Sequence, residues 1–319
     1  MTSTTTLRAL TVIRRARLDD AGPLELAPSA NEVWFAGPYV LRISAEPGSN
    51  RLHYEAAVAA SLPDDVPYPE IVKTGRATFG EWMVLRRVKG TVLSRAWLTM
   101  DEEERREAVH QLGEVVDRLH SSPPPGAAPP FTGDLECPHQ LPVSRLVELL
   151  QRCARLPHVD AGMLASARDL VTSLAPALED SDDGLVHGDL HFENVIWDGS
   201  RLSALLDLEW ARQAPRDLDL DVFLRFCADP ALHVTEDYGH LTTRSDYRMV
   251  PGWLHEAYPR LFAHPRLDDR LVVFGLSYDV RHLLLNPPSV PADRLPPHHP
   301  YLRVKRWVDG RSHLSWMHW

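Results

Sequence analysis

The segment from His187 to Trp210 constrains this chain more than any other stretch. A short apolar run, Val195 to Trp197, is followed by the turn-forming Asp198-Gly199-Ser200 and a second apolar run from Leu202 to Leu206. That pattern predicts a β-hairpin. A hairpin sets the residue entering its first strand beside the residue leaving its second, so Asn194 and Asp207 are expected together at one end. An amide oxygen and a carboxylate are hard donors, suited to Mg²⁺ bound against nucleotide phosphates. Asp189 stands five residues before Asn194, where a carboxylate can take the proton of an attacking hydroxyl or hold it in line. Separately, Asp189 would cap a turn and Asp207 would end a strand, but that leaves their grouping without a reason.

Composition narrows the partners. The 319 residues, 44% hydrophobic, supply a packed core for one large or two medium domains. A formal charge of -10 argues against a nucleic-acid or anionic-membrane partner, which would need clustered Lys and Arg, and suits a cationic or neutral ligand. Cys137, Cys153 and Cys227 are too few and too dispersed for a disulfide framework or a thiolate zinc site. No signal peptide is evident, and no run approaches the ~18 apolar residues that span a bilayer, so a soluble cytoplasmic protein is expected.

Residues 1–22 are weakly helical by pattern. Glu32 to Phe35, Tyr39 to Ile43 and Trp82 to Leu85 read as strands, with a helix over Arg51 to Leu62. This texture resembles a small nucleotide-clamping lobe, and Lys89-Gly90 marks its exit, so the division expected is 1–88 and 89–319. Asp101 to His120 reads as a long helix opened by acidic residues. Five prolines between Ser121 and Pro130 break the pattern. Val143 to Arg155, Ala161 to Leu178, Leu218 to Cys227 and Arg270 to Leu285 are further helices, and Asn286 to Pro300 is another proline-rich stretch. Trp307, Trp316 and Trp319 in the tail either cap the core or line a ligand cleft, and Trp307 is a candidate substrate contact.

In the first lobe, Arg42 on a strand, held by Glu55 on the following helix, could grip the α- and β-phosphates of a nucleotide, or the two could form an ordinary surface contact. The phosphate loop is expected at Ala27 to Asn31, where Ser29 and Asn31 offer donors, although no glycine pattern supports it. Glu209, two residues beyond Asp207 on an extended segment, is a candidate for substrate or water contact, and His191 for substrate contact. His187 and His191 also admit a zinc hydrolase, but zinc favours ligands at helical or strand spacing with a third partner in reach, whereas a histidine beside a catalytic loop is more often a structural hydrogen-bonder. Of Asp217, Asp219 and Asp221, Asp219 is expected to brace the loop before Asp189 through backbone hydrogen bonds. The others either cap the next helix or form an acidic wall for an aminated substrate.

These residues resemble the aminoglycoside phosphotransferase family over most of the chain. The resemblance rests on His187-Gly188-Asp189-Leu190-His191 with Asn194, Leu206-Asp207, Leu112-Gly113 to Leu119-His120, and Tyr39 to Arg42 with Glu55. It implies an α+β, bilobal, protein-kinase-like fold with a small β-rich N-terminal lobe and a larger, mainly helical C-terminal lobe. It further implies a catalytic Asp189, Mg²⁺ ligands Asn194 and Asp207, a phosphate anchor at Arg42, and purine contacts from the backbone near Arg86 to Val88. ATP or GTP would be the donor, as in other phosphoryl-transfer sites. Phe192-Glu193 stand where many relatives have Pro-Gly, and Arg42 where many have Lys. The acceptor expected is a hydroxyl of a small molecule, foremost an aminoglycoside or other cationic drug, or a nucleoside or macrolide antibiotic. A metabolic kinase of a sugar, amino alcohol or amino acid is the alternative, and a nucleotide-responsive binding protein without turnover a further one.

Overall fold

The computed structural model describes residues 3–27, 32–131, 133, 135 and 141–316. Helix α1 (Thr4–Ala16) leads into strands β1 (Leu24–Leu26), β2 (Glu32–Ala36) and β3 (Tyr39–Ser44), then helix α2 (Arg51–Ala59) and strands β4 (Ile71–Ala77) and β5 (Gly80–Arg86). The five strands form one antiparallel sheet in the order β1-β2-β3-β5-β4. Alternation along β3 decides its two faces. Leu41 and Ile43 pack with Ala9, Val12 and Ala16 of α1, while Val40 packs on the other face with Met83, Leu85 and Leu52 of α2. Arg42, opposite Met83 in the register, shares that second face and so meets α2.

Beyond Arg86 the chain runs into β6 (Thr91–Val92), the short α3 (Leu93–Ala96) and the long α4 (Glu102–His120). Asp101 opens α4 with a capping box. Its side chain accepts from the Glu104 N–H at 2.9 Å, and Glu104 accepts from the Asp101 N–H at 3.0 Å. Helices α5 (Val143–Cys153) and α6 (Ala161–Leu174) follow, then β7 (Asp183–Val186), β8 (Val195–Trp197), β9 (Leu202–Leu205) and β10 (Arg212–Pro215). Helices α7 (Asp217–Ala228), α8 (Glu236–Gly239), α9 (Val250–Ala257), α10 (Leu267–Leu285) and α11 (Pro300–Val308) complete the order. One core gathers α4, α7 and α9 around the β7–β9 segment, and a second gathers α5, α6, α10 and α11.

The architecture is the α+β, kinase-like one expected, with a β-sheet N-terminal part and a helical C-terminal part. Several elements differ from expectation. The helix over Ala161–Leu178 turns to 3-10 geometry at Ala175, where Pro176 cannot donate into an α-helix. The tail holds a helix, α11, with Pro300 in its first turn. Strand β4, with its mixed Lys, Thr, Gly and Arg, has no alternating pattern and was not expected. Among the described residues, no helix is long and apolar enough to cross a membrane.

Candidate active site

The hairpin forms where it was expected: β8 and β9 pair antiparallel, and the Leu206 N–H donates to the Asn194 carbonyl at 2.8 Å. Asn194 and Asp207 therefore sit at one end. Asp207 adopts the left-handed conformation with φ of 62°, a cost of roughly 1–2 kcal/mol for a residue with a Cβ. It turns the chain out of β9 into a 3-10 turn over Leu208–Trp210.

The loop before β8 is held from below and from the side. Buried Asp219 accepts from the backbone N–H groups of His187 at 2.7 Å and Gly188 at 2.8 Å, and pairs with His120 Nε2 at 2.9 Å. Burial alone would raise its pKa, but His120 and the loop amides hold it below the ordinary carboxylate range. His187 Nε2 reaches the Leu206 carbonyl at 2.8 Å, tying the loop to the hairpin. Gly188 has φ of +81°, and a Cβ there would lie 2.5 Å from the Trp210 carbonyl oxygen, so no other residue fits. Asn194 Nδ2 donates to the Asp189 carbonyl at 2.8 Å, which fixes the amide with its oxygen available. The Asp189 carboxylate is 40% exposed and stands 3.4 Å from His191 Nε2. Burial works to raise Asp189, yet His191 outweighs it and leaves the carboxyl well below its usual range.

Arg42 spans the two parts of the molecule. Nη1 donates to Glu55 Oε1 at 2.5 Å and Nη2 to Asp207 Oδ1 at 2.7 Å, with Glu55 fully buried. The surface-contact alternative for this pair is thereby removed. Glu55 Oε1 also accepts from Tyr68 Oη at 2.8 Å and from the Leu208 N–H at 3.0 Å. Burial opposes the Arg42 charge, but Asp207 and Glu55 together hold it well above its ordinary pKa. A planar fork can meet two carboxylates at once, which an ammonium does less well.

Other expected residues fall less simply. Glu209 is not on an extended segment but within the 3-10 turn, 3.7 Å from Arg51 Nη1, with its carboxyl pushed up to about 7 by burial and then by Asp207. The Arg86 N–H is spent on the Glu70 carbonyl at 2.8 Å, so Arg86 has no amide donor left for a purine. Its guanidinium lies over Tyr39 at 4.9 Å. Val88, in the link after β5, makes no backbone hydrogen bond within the described residues. Trp307 is a core residue, 4% exposed, with Nε1 donating to Asp279 at 2.7 Å, and lines no open cleft. Asp217 caps nothing and forms no acidic wall, because it is bound by both arms of buried Arg270. Asp221 is likewise buried and paired with Arg225 at 3.2 Å. Ser29, Asn31 and Trp319 lie outside the described residues, as does the Trp316 side chain. Tyr68, which no pattern singled out, donates to Glu55 Oε1, and His120 supports Asp219 from the end of α4.

Asn194 and Asp207 present an amide oxygen and a carboxylate, with Asp189 nearby. Among the described residues no set of three or more His, Cys, Asp or Glu forms a ready cage. That donor set fits Mg²⁺, which keeps few protein ligands and completes its shell with phosphate oxygens and water.

A model of a phosphotransferase enzyme family matches residues 29–253. Among solved structures, aminoglycoside phosphotransferase APH(4)-Ia, as a thermostable mutant with ADP and hygromycin B, is similar at 15% identity and TM-score 0.62, covering 95% of this chain and 96% of its own. APH(3'')-Id from Streptomyces rimosus, with ADP and streptomycin, is similar at 20% identity and TM-score 0.55, over 86% of this chain and 98% of its own. ADP-bound APH(2'')-Ib is similar at 13% identity and TM-score 0.61, over 97% and 99%. At these identities the likeness is one of fold. No curated protein matches the sequence.

Proposed function

The chain belongs to the phosphotransferase enzyme family, and from that premise we propose that it moves the γ-phosphate of ATP or GTP, with Mg²⁺, onto a hydroxyl of an antibiotic, inactivating it in the cytoplasm. The observation that carries this reading is the meeting of Asp189, Asn194 and Asp207 with the buried Arg42–Glu55 pair at one junction. Similar folds solved with ADP and hygromycin B or streptomycin support the antibiotic as acceptor. In this reading the nucleotide lies between residues 1–88 and 89–319, with the purine at the backbone of the link at Val88, since the Arg86 and Arg87 N–H groups are spent on the Glu70 and Pro38 carbonyls.

Asn194 and Asp207 would hold Mg²⁺, which neutralises phosphate charge when bound. Arg42, oriented by Glu55, grips phosphate oxygens and adds to that neutralisation. Asp189 stays ionised beside His191, so it accepts a hydrogen bond from the acceptor hydroxyl and keeps it in line with the phosphorus. Alignment of this kind is worth ~7–11 kcal/mol of barrier. Asp219 keeps the Asp189 loop in shape without touching substrate.

Nucleoside diphosphate release by the purified protein, with ATP or GTP against antibiotics and common metabolites, tests the reading. Turnover on an antibiotic is expected, falling by ~10²–10⁴ in Asp189→Ala with nucleotide binding retained. Turnover on a metabolite alone would move the protein to metabolism, and nucleotide binding without any turnover would remove the enzyme reading.

A further inference from the structure

Glu55 Oε1 receives three donors at once: Arg42 Nη1 at 2.5 Å, the Tyr68 hydroxyl at 2.8 Å and the Leu208 N–H at 3.0 Å. The second oxygen, Oε2, is buried and has no hydrogen-bond partner among the described residues. The direction of this carboxylate is therefore set from one side, by the donors that converge on Oε1. Arg42 is held in turn between Glu55 and Asp207 Oδ1. A group that fixes Glu55 thereby fixes where the Arg42 fork points.

Tyr68 is placed by its neighbours in the chain. It stands in the run Val66-Pro67-Tyr68-Pro69, between α2 and β4. Both flanking prolines have a fixed φ, and Pro69 confines Tyr68 itself to extended backbone. The segment is also tied on both sides. The Pro67 carbonyl accepts from the Leu205 N–H of β9 at 2.7 Å, and the Glu70 carbonyl accepts from the Arg86 N–H of β5 at 2.8 Å. Leu205 precedes Asp207 by two residues, so the strut that carries Tyr68 rests on the strand that leads to Asp207. Burial, and after it the charge of Glu55, holds the phenol well above its ordinary pKa, so the hydroxyl keeps its proton and donates.

We propose that Tyr68 is a positioning residue for phosphate recognition: its hydroxyl, acting through Glu55, keeps Arg42 aimed at the α- and β-phosphates of the nucleotide. The proposal rests on the phosphotransferase reading of the same site and adds a residue to it. A phosphate that draws Nη2 from Asp207 leaves the contact between Nη1 and Glu55 as the fixed end of the fork. Tyr68 and Leu208 are then the donors that hold Glu55 in place. Packing does not decide the position of the Tyr68 ring by itself. An open cavity of about 370 Å³, lined by Ala60, Leu62 and Pro69 among others, borders the ring and gives it room to withdraw. The hydrogen bond to Glu55 is what keeps it forward.

The test is calorimetric binding to the full chain, with Mg²⁺, of ATP or GTP and of the matching nucleoside, which carries no phosphate. Tyr68→Phe keeps the ring and removes the donor. The nucleotide Kd is expected to rise about tenfold, the order of one hydrogen bond to a charged group, while the nucleoside Kd stays within about twofold. In an Arg42→Ala background, which already lacks the fork, Tyr68→Phe should change the nucleotide Kd by less than about twofold, because the two residues act in series. Tyr68→Met also lacks the donor and serves if Tyr68→Phe folds poorly. An unchanged nucleotide Kd in a folded variant overturns the positioning role and leaves the phosphotransferase reading intact. So does an equal loss for nucleotide and nucleoside, or the full loss appearing on top of Arg42→Ala. Wild-type protein that binds no nucleotide defeats the underlying reading, and the role of Tyr68 falls with it.

Discussion

Asp219 shows what a single buried carboxylate does here. It accepts two backbone N–H groups and pairs with His120, none of which has water to fall back on. Asp219→Ala leaves those donors unsatisfied, at ~1–3 kcal/mol each, whereas Asp219→Asn keeps one acceptor oxygen. Thermal unfolding should therefore rank wild type above Asn above Ala, and equal melting temperatures would remove the bracing role. The bracing was legible because Asp219 follows Asp207 at a short interval on a helix start. The partner of Asp217 was not legible, because Arg270 reaches it from another helix far along the chain, whereas Asp221 meets Arg225 at the i,i+4 spacing of its own helix. Arg42 and Glu55 were legible as a pair, but the second arm of Arg42, on Asp207 165 residues away, was not.

At the scale of elements, α4 crosses α9 closely because Gly113 has no side chain. A Cβ on Gly113 would lie 2.7 Å from Ala257 Cβ, closer than carbon atoms approach. Gly113→Val should push the helices apart and cost ~1–3 kcal/mol, lowering the melting temperature by several degrees without altering nucleotide contacts. An unchanged melting temperature would mean that the crossing yields freely. Elements with a strong period, a clear cap or a distinct apolar run were readable: α4 from its acidic start and apolar spacing, and β2, β3 and β5 from short runs of aromatic and aliphatic residues. Strands β7 and β10 were not, since four residues each carry too little pattern and exist by pairing with each other. Glu209 was misread for a related reason. An extended continuation of β9 was assumed, and only the left-handed turn at Asp207 redirects it.

Across the whole molecule, buried histidines make stability sensitive to acid. Burial first, then the positive charge of His191, Arg281 and Arg225 respectively, holds His233 at about 3, His282 at about 4 and His313 at about 3. Unfolded, each would titrate near 6.5. Below that value the unfolded chain binds protons that the folded chain refuses, so stability falls as pH drops from about 6.5, by up to ~1.4 kcal/mol per pH unit for each histidine. Below about pH 4 the carboxylates Asp219 and Asp279, held low by His120 and Arg225 against their burial, lose their contribution as well. Glu209, pushed up to about 7, and His191, also raised, take up protons on folding and offset part of this loss. The histidine contribution is therefore read by comparison: His233→Asn should make the fall in melting temperature from pH 7 to 5 shallower than in the wild type, and an unchanged slope would contradict a neutral His233. The sequence by itself determined the hairpin and the reacting-group candidates, because local period, turn chemistry and short spacing are written within a few residues of one another, and through its family resemblance it implied the kinase-like architecture. The bridge from Arg42 to Asp207, the burial of Trp307 and the pairing of Asp217 with Arg270 were decided by tertiary structure alone. Each joins residues far apart in the chain, and only packing determines which charges meet, which are shielded and which remain open to a ligand.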